Sequence, residues 1–340
     1  MANTVEQRAR TITGRSPARP LRTAPGIRPG NGLRGFIRRH KLAPYLLLAP
    51  ALIGIALVLL WPLVQVVLYS FQSYGLPQIT GAEPVQWLGL ANFTQIVKDS
   101  EFWLSLRITV LFAAVAVPLT LVAGTLVGLL LNRLGRKMAA FVSTAALLAW
   151  SVPPVAASVL FYWLFNPDGG LVDWTLSRMP HWLVGNTDWA GFNWTTSDAL
   201  HAYTVLLVLV VWQAFPFIAV TVLAGLKTIP AELYEAARVD GASPVRVFRQ
   251  ITYPLLKPIF LVLLLFSVIW DFNIFTQTYL ITGFPGNRDE FNLSLYIYDK
   301  AFQFPPSYSL GGALALIFTL ILLVVTVGYV RASVRQGALT

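Results

Sequence analysis

Six long apolar runs recur along this chain and leave it few ways to fold. They cover residues 44–69, 108–131, 138–165, 202–226, 258–282 and 310–330, so the shortest has 21 residues and the longest 28. A bilayer core takes about 20 apolar helical residues to cross. Inside it, every backbone N–H and C=O needs a partner within the protein, and a helix supplies one segment by segment. The fold class is therefore all-α integral membrane, with six transmembrane helices. Run lengths of this size allow tilt without fixing it. Only 12% of the residues are charged, about half the share in a soluble domain.

Lys and Arg are placed unevenly, and the bias orients the spans. With both termini cytoplasmic, 20 of the 25 basic residues fall on the cytoplasmic side and five (Lys98, Arg107, Arg178, Arg288, Lys300) outside. Residues 1–43 carry ten Lys and Arg against the single acid Glu6, in a Pro- and Gly-rich setting. They read as a disordered cytoplasmic tail that lies against anionic membrane lipid and binds no nucleic acid. An organelle transit peptide has a similar composition, whereas a cleaved signal does not fit, because the apolar run that follows is too long. The transmembrane domain is 44–330, with a cytoplasmic loop at 227–257 and a cytoplasmic tail at 331–340.

Several chemistries are excluded at once. No cysteine means no disulfide and no thiolate site. His40, His181 and His201 have no metal-ligand spacing. No phosphate loop is present: Gly225 is followed by Leu-Lys-Thr at the wrong offset. The outer loops, about 70–107, 166–201 and 283–309, hold Trp87, Trp103, Trp174, Trp182, Trp189 and Trp194. These rings suit either anchoring at headgroup depth or a docking surface for an external partner.

The loop at 227–257 is written like two small soluble helices. Pro230 suits a first helical turn, Glu232 and Glu235 favour the early half of a helix, and Asp240-Gly241 forms a left-handed cap. Ser243-Pro244 then caps and opens a second helix. Pro254 and Pro258 stop it and lead into the fifth span. Such a unit either separates two spans or fits a partner's groove.

The order Glu235-Ala236-Ala237, three residues, Gly241, nine residues, Ile251-Thr252-Tyr253-Pro254 resembles the EAA signature of ABC importer permeases. It departs at Tyr253, where Leu is usual. The stretch WLGLANFTQIVKDSEFWLSLRITV and Asp240 before the Gly look like the carbohydrate, maltose-type and UgpA-type, branch. The resemblance spans about 270 residues. It implies that the short helices enter a cleft on a cytoplasmic ATPase, with Glu235 facing a basic residue, Gly241 making the turn, Ala236 and Ala237 allowing close approach, and Asp240, Ile251 and Pro254 completing the motif. It also implies a second permease, usually a different chain, two ATPase subunits that carry ATP and Mg, and an extracytoplasmic sugar-binding protein. This chain itself would bind no cofactor and catalyse nothing.

The fifth span raises a separate question, because Asp271 lies near its middle. An intramembrane carboxylate costs about 2.5–3.5 kcal/mol on insertion scales and should face protein or water. On one continuous helix, Trp270, Asp271, Asn273, Gln277 and Thr278 share an arc of roughly 160°, with Phe272, Phe275 and Tyr279 opposite. Amides, a carboxylate and an indole suit a sugar, and they equally suit bonds to neighbouring helices. Trp212 and Gln213, beside Pro216 in the fourth span, are secondary candidates, and Pro118, Pro153 and Pro154 are candidate kinks. The run WDFNIFTQTYLIT resembles permeases for amino sugars and chitin fragments. Two rivals remain: a secondary transporter or channel with Asp271 as its ion-coupling residue, and a membrane enzyme built on Asp168, Asp173 and Asp188.

Overall fold

The computed structural model describes residues 43–195, 197–284 and 288–335. The basic tail lies outside them but for Ala43. Five helices are long and apolar enough to cross a membrane: Leu47–Ser70, Ser100–Arg133, Ala199–Leu226, Pro244–Phe272 and Tyr308–Arg331. A sixth crossing comes from the pair Arg136–Trp150 and Pro154–Leu164, taken as one span bent by 94°. The described residues contain no named strand, only the isolated bridges Gln72 to Trp87 and Gly75 to Ser307.

The chain divides into two compact units, Met1–Pro62 and Leu63–Thr340. In the first, the described residues are helical and pass through a widened π turn at Ala56–Leu60. In the second, the Ser100–Arg133 and Ala199–Leu226 helices form the central contact. It depends on two small residues. A Cβ on Gly124 would meet the Ile218 side chain at 2.6 Å, and one on Gly128 the Ala219 carbonyl at 2.8 Å. Without a hydrophobic drive between helices in lipid, backbone approach of this kind is what holds spans together. Around it lie buried Leu206, Leu209, Ile218, Val222 and Leu263, while Val122 and Leu126 on the other face stay exposed, as lipid-facing side chains do.

Prolines divide the spans in ways that differ from the sequence reading. Pro118 and Pro216 sit inside helices that run on without a break. The third span, expected as one run at 138–165, instead turns sharply at Ser151–Pro153. Val152 precedes a proline and is biased away from the helical region, and Pro154 opens the next helix at its first turn with Pro153 as cap. Conversely, Pro254 and Pro258 do not stop the second loop helix. Pro244–Phe272 is one helix of 29 residues, and its turn Phe248–Thr252 is π-helical, closed by Tyr253 N–H to the Phe248 carbonyl. The widened turn makes room for the ring of Pro254, which would otherwise press on the preceding turn.

At the end of the molecule remote from residues 227–257, the Leu293–Phe302 helix is fastened to the start of the second span. Asn292 caps it through the Leu295 amide at 2.9 Å, and the Leu293 amide donates to Thr109 at 2.8 Å. Tyr296 donates to Asp99 at 2.6 Å. Lys300 pairs with Glu101 at 3.0 Å, and Arg288 bridges Glu101 at 3.2 Å and Asp299 at 3.4 Å. Burial pushes the Tyr296 phenol up, reinforced by its bond to Asp99. Arg288 is raised by the charge of Asp299. In the loop between the third and fourth spans, Asp173 is buried and accepts from the Trp194 indole. Burial raises its carboxyl even though that bond opposes the rise.

Candidate functional site

The first site is the loop. The Ala231–Val239 helix forms where expected, followed by Gly241 at φ +70. Nothing lies within 4 Å of a Cβ built there, so the glycine is required by the backbone conformation alone. Ser243 accepts from the Arg246 amide at 3.4 Å and caps the second helix. Glu235, Ala236, Asp240 and Gly241 are exposed, and Ala237 is buried. Ile251 is half-buried inside the π turn, and Pro254 is exposed just beyond it. The Tyr234 hydroxyl lies 3.2 Å from that of Thr252 and ties the loop helix to the root of the fifth span. Leu233 and Val239 stay exposed on the loop helix.

The second site gathers the two places where spans break. The fifth span ends at Phe272; Asn273 (φ −112, ψ 42) and Ile274 (φ −86, ψ 43) leave the helix, and Phe275–Ile281 resumes it. The single polar arc expected across 270–278 therefore does not exist, because Trp270 and Asp271 lie on one helix and Gln277 and Thr278 on another. The freed ends find partners: Ser294 donates to the Phe272 carbonyl at 3.3 Å, and the Thr278 hydroxyl donates to the Ile274 carbonyl at 2.8 Å while accepting from Asn292 at 2.8 Å. Broken helices of this sort persist only where protein or a cavity covers them.

Across the fourth span, the break of the third meets the break of the fifth in two rungs. The upper rung is amide: Gln277 Nε2 donates to Gln213 Oε1 at 3.2 Å, and Gln213 Nε2 donates to the Val152 carbonyl at 3.1 Å. The lower rung is aromatic. Four residues on from Gln213, on the same helix face, Phe217 stacks on Trp150 at 5.4 Å and meets the edge of Trp270 at 5.4 Å. Phe266 continues the row at 5.7 Å. Trp150, Trp270 and Phe266 are each about 40% exposed, whereas Asn273, also exposed, lines a recess with Phe275, Ser294 and Tyr298. Trp212 instead packs on Phe161 in the core.

Asp271 points the other way. It shares a buried stripe with Leu256, Leu263 and Ser267, it is 3% exposed, and its Oδ2 has no hydrogen-bond partner. The rungs thus bring together Gln213, Gln277 and Trp270 and leave out Asp271 and Trp212. Trp150 and Phe217 were missed by sequence reasoning. The available signal was Trp150 standing directly before Ser-Val-Pro-Pro, an aromatic at a predicted break.

Comparison with known proteins adds three findings. Residues 120–336 match the family described as binding-protein-dependent transport system inner membrane component. The chain is 38% identical to the diacetylchitobiose uptake system permease protein DasB of Streptomyces coelicolor, over 90% of this chain and 91% of that protein. It is 34% identical to the sulfoquinovosyl glycerol transport system permease protein SmoG of Agrobacterium fabrum, over 86% and 90%. In fold it is similar to a chain of a bacterial ABC transporter involved in the import of the acidic polysaccharide alginate. The TM-score is 0.71 at 21% identity, covering 89% of this chain and 98% of that one.

Proposed function

The chain belongs to the family of binding-protein-dependent transport system inner membrane components, and on that premise we propose that it is one of two permease subunits of an ATP-driven carbohydrate importer. Membership makes it a multi-pass, non-catalytic subunit of the inner membrane. It also sets aside the ion-coupled transporter reading of Asp271 and the membrane-enzyme reading of Asp168, Asp173 and Asp188. Asp173, for its part, is buried against Trp194.

The observation that carries the sugar reading is the double rung. A row of half-exposed rings lies one helical turn from a chain of amides, and a sugar offers a C–H face to the first and hydroxyls to the second. Trp150, Trp270, Gln213 and Gln277 are the residues proposed to meet it at the rungs, with Asn273 at the joint of the fifth span, and Asp271 is proposed to serve protein alone. The substrate proposed is an oligosaccharide, with the disaccharide of N-acetylglucosamine the first to test. The similarity to a diacetylchitobiose permease and the run WDFNIFTQTYLIT support that choice.

The proposed partners are a second, different permease, two ATPase subunits that hold ATP and Mg, and an extracytoplasmic binding protein. The Lys and Arg bias supports a cytoplasmic position for both termini and for the loop at 227–257. There Glu235, Ala236, Asp240 and Gly241 form the face offered to the ATPase. The fifth span begins at Pro244, three residues beyond Gly241, and runs unbroken to Phe272, so displacement of the loop is carried to the rungs. Alternating access then follows from the partners' different affinities for two states.

The test is uptake of radiolabelled diacetylchitobiose, maltose and sulfoquinovosyl glycerol by a strain lacking this chain, with and without it restored. The reading expects restored uptake of the first, dependent on ATP. Uptake that persists without ATP and collapses with an ionophore overturns it.

A further inference from the structure

Beside the loop, a groove of about 590 Å³ runs between the Ser100–Arg133 and Pro244–Phe272 helices. Its walls are apolar side chains, including Val122 and Leu126 from one helix and Leu261 and Leu264 from the other. Val122 is 56% exposed and Leu126 61%. At the loop end of the groove stand two cations, Arg133 and Lys257, with Tyr253 beside them. Neither cation has an ion-pair partner among the described residues, and no Asp or Glu lines the groove. A second recess of about 460 Å³ shares Arg133, Pro244 and Phe248 with it and adds Asn132 and Arg238. Polar and cationic groups thus collect at one end of an otherwise oily channel.

We infer that this groove binds an anionic phospholipid, with an acyl chain along Leu126 and Leu261 and the phosphate held by Arg133 and Lys257. Three physical points converge. An uncompensated pair of cations attracts an anion, and a phosphate offers several acceptors to the Arg fork. Lys257 lies one helical turn further into the membrane than Tyr253, so its stem runs along the groove while its head reaches the interface. Tyr253 is 46% exposed and has the amphipathic ring favoured at headgroup depth. Its departure from the Leu usual at that motif position then has a role: a Leu would line the groove without a hydroxyl at its mouth. The bound lipid would brace Pro244 and Phe248, where the fifth span leaves the Gly241 turn.

The inference needs only that the chain sits in a bilayer, so its failure and that of the sugar reading are distinguishable. The experiment is native mass spectrometry of the full purified chain titrated with phosphatidylglycerol and with phosphatidylcholine of matched acyl chains. Each cation near the surface should contribute about fivefold to the preference for the anionic lipid. R133Q/K257Q should lose that preference, R136Q/K137Q should keep it, and Leu126→Trp should weaken retention of both lipids. Equal retention of the two lipids by the wild-type chain overturns the proposal, as does an unchanged preference in R133Q/K257Q. Should R133Q/K257Q not fold, a photo-crosslinker at Leu126 decides in native membranes. A lipid adduct is expected, and an adduct with a second protein chain overturns the proposal.

Discussion

The loop at 227–257 and the double rung stand at opposite ends of one helix and are built on opposite principles. The loop is exposed, and its shape is fixed locally by Pro230, Gly241 and the Ser243 cap. The rungs are made from three separate spans, and two of those must break before they meet. Between the two regions, Pro244–Phe272 contains 29 residues, a rod of about 44 Å. It stays whole past Pro254 and Pro258 and ends at Asn273. The difference teaches where motion can go. A push on the loop travels the length of the rod, and the first joint it meets lies beside Trp270 and Gln277.

The comparison breaks most readily at the loop. Gly241→Val should abolish most uptake, because a β-branched residue at φ +70 is strained although space is free around it. Gly241→Asn, which tolerates that conformation, should keep most of it. Glu235→Ala should cost about tenfold in ATPase co-purification, equivalent to about 1.4 kcal/mol, with the fold unchanged. Uptake assays read the Gly241 variants, and pull-down against the solubilised membrane fraction reads Glu235→Ala. Unaltered co-purification and uptake in Glu235→Ala would mean that the exposed face of the loop helix engages nothing.

A second, smaller effect is expected at the rungs, and it should separate from the first. Gln213→Leu leaves the Val152 carbonyl and the Gln277 amide without their partner; all three residues are half-buried, so each lost bond costs about 0.5–1.5 kcal/mol. Uptake should fall while ATPase co-purification stays intact. A double-mutant cycle of Gln213 and Gln277, read in thermal stability, should give a coupling of about 1 kcal/mol. Trp150→Leu should raise the apparent KM for sugar several-fold and leave assembly alone. If Gln213→Leu loosens the ATPase as much as Glu235→Ala does, the two regions are not separable and the rod does not end at Asn273.

How much was legible follows from the same contrast. The loop was readable because its signals are local in sequence: a proline, a glycine and a serine each act on their own backbone. The spans were readable because lipid imposes one demand on every residue in them. The rungs were not, because they depend on where helices stop, and a proline alone does not decide that. Pro153–Pro154 breaks the third span, Pro118 and Pro216 do not break theirs, and Pro254 is absorbed by a π turn. The fifth span breaks at Asn273–Ile274 without any proline. A helical wheel drawn through that joint puts Asp271 and Gln277 on one polar arc, although Asp271 faces the buried stripe and Gln277 faces Gln213.

The smallest expected effect lies at the far end, where Asp99, Glu101, Arg288, Tyr296, Asp299 and Lys300 join the Leu293–Phe302 helix to the second span. Tyr296 and Asp299 are buried, but the groups they pair with are partly exposed, with Arg288 at 57% and Lys300 at 25%, so solvent screens the network and each exposed pair is worth about 0–1 kcal/mol. Burial tends to raise the Asp99 carboxyl, but bonds from Tyr296 and the Glu101 amide and the charge of Lys300 outweigh it and hold it below its ordinary value. A carboxylate depressed by folding stabilises the protein above its unfolded value, and that contribution is lost as pH falls through the folded one. Asp99 should therefore leave thermal stability flat from pH 8 down to 5 and remove it only below about pH 4. Asp99→Asn should shrink that acid limb and lower the plateau by no more than about 1 kcal/mol. Added salt should weaken the plateau of the wild-type chain in the same way, because these ion pairs are screened. A stability change near neutral pH in thermal melts, sensitive to Asp99→Asn, would mean that the far-end network bears on the rod and is no passive fastening.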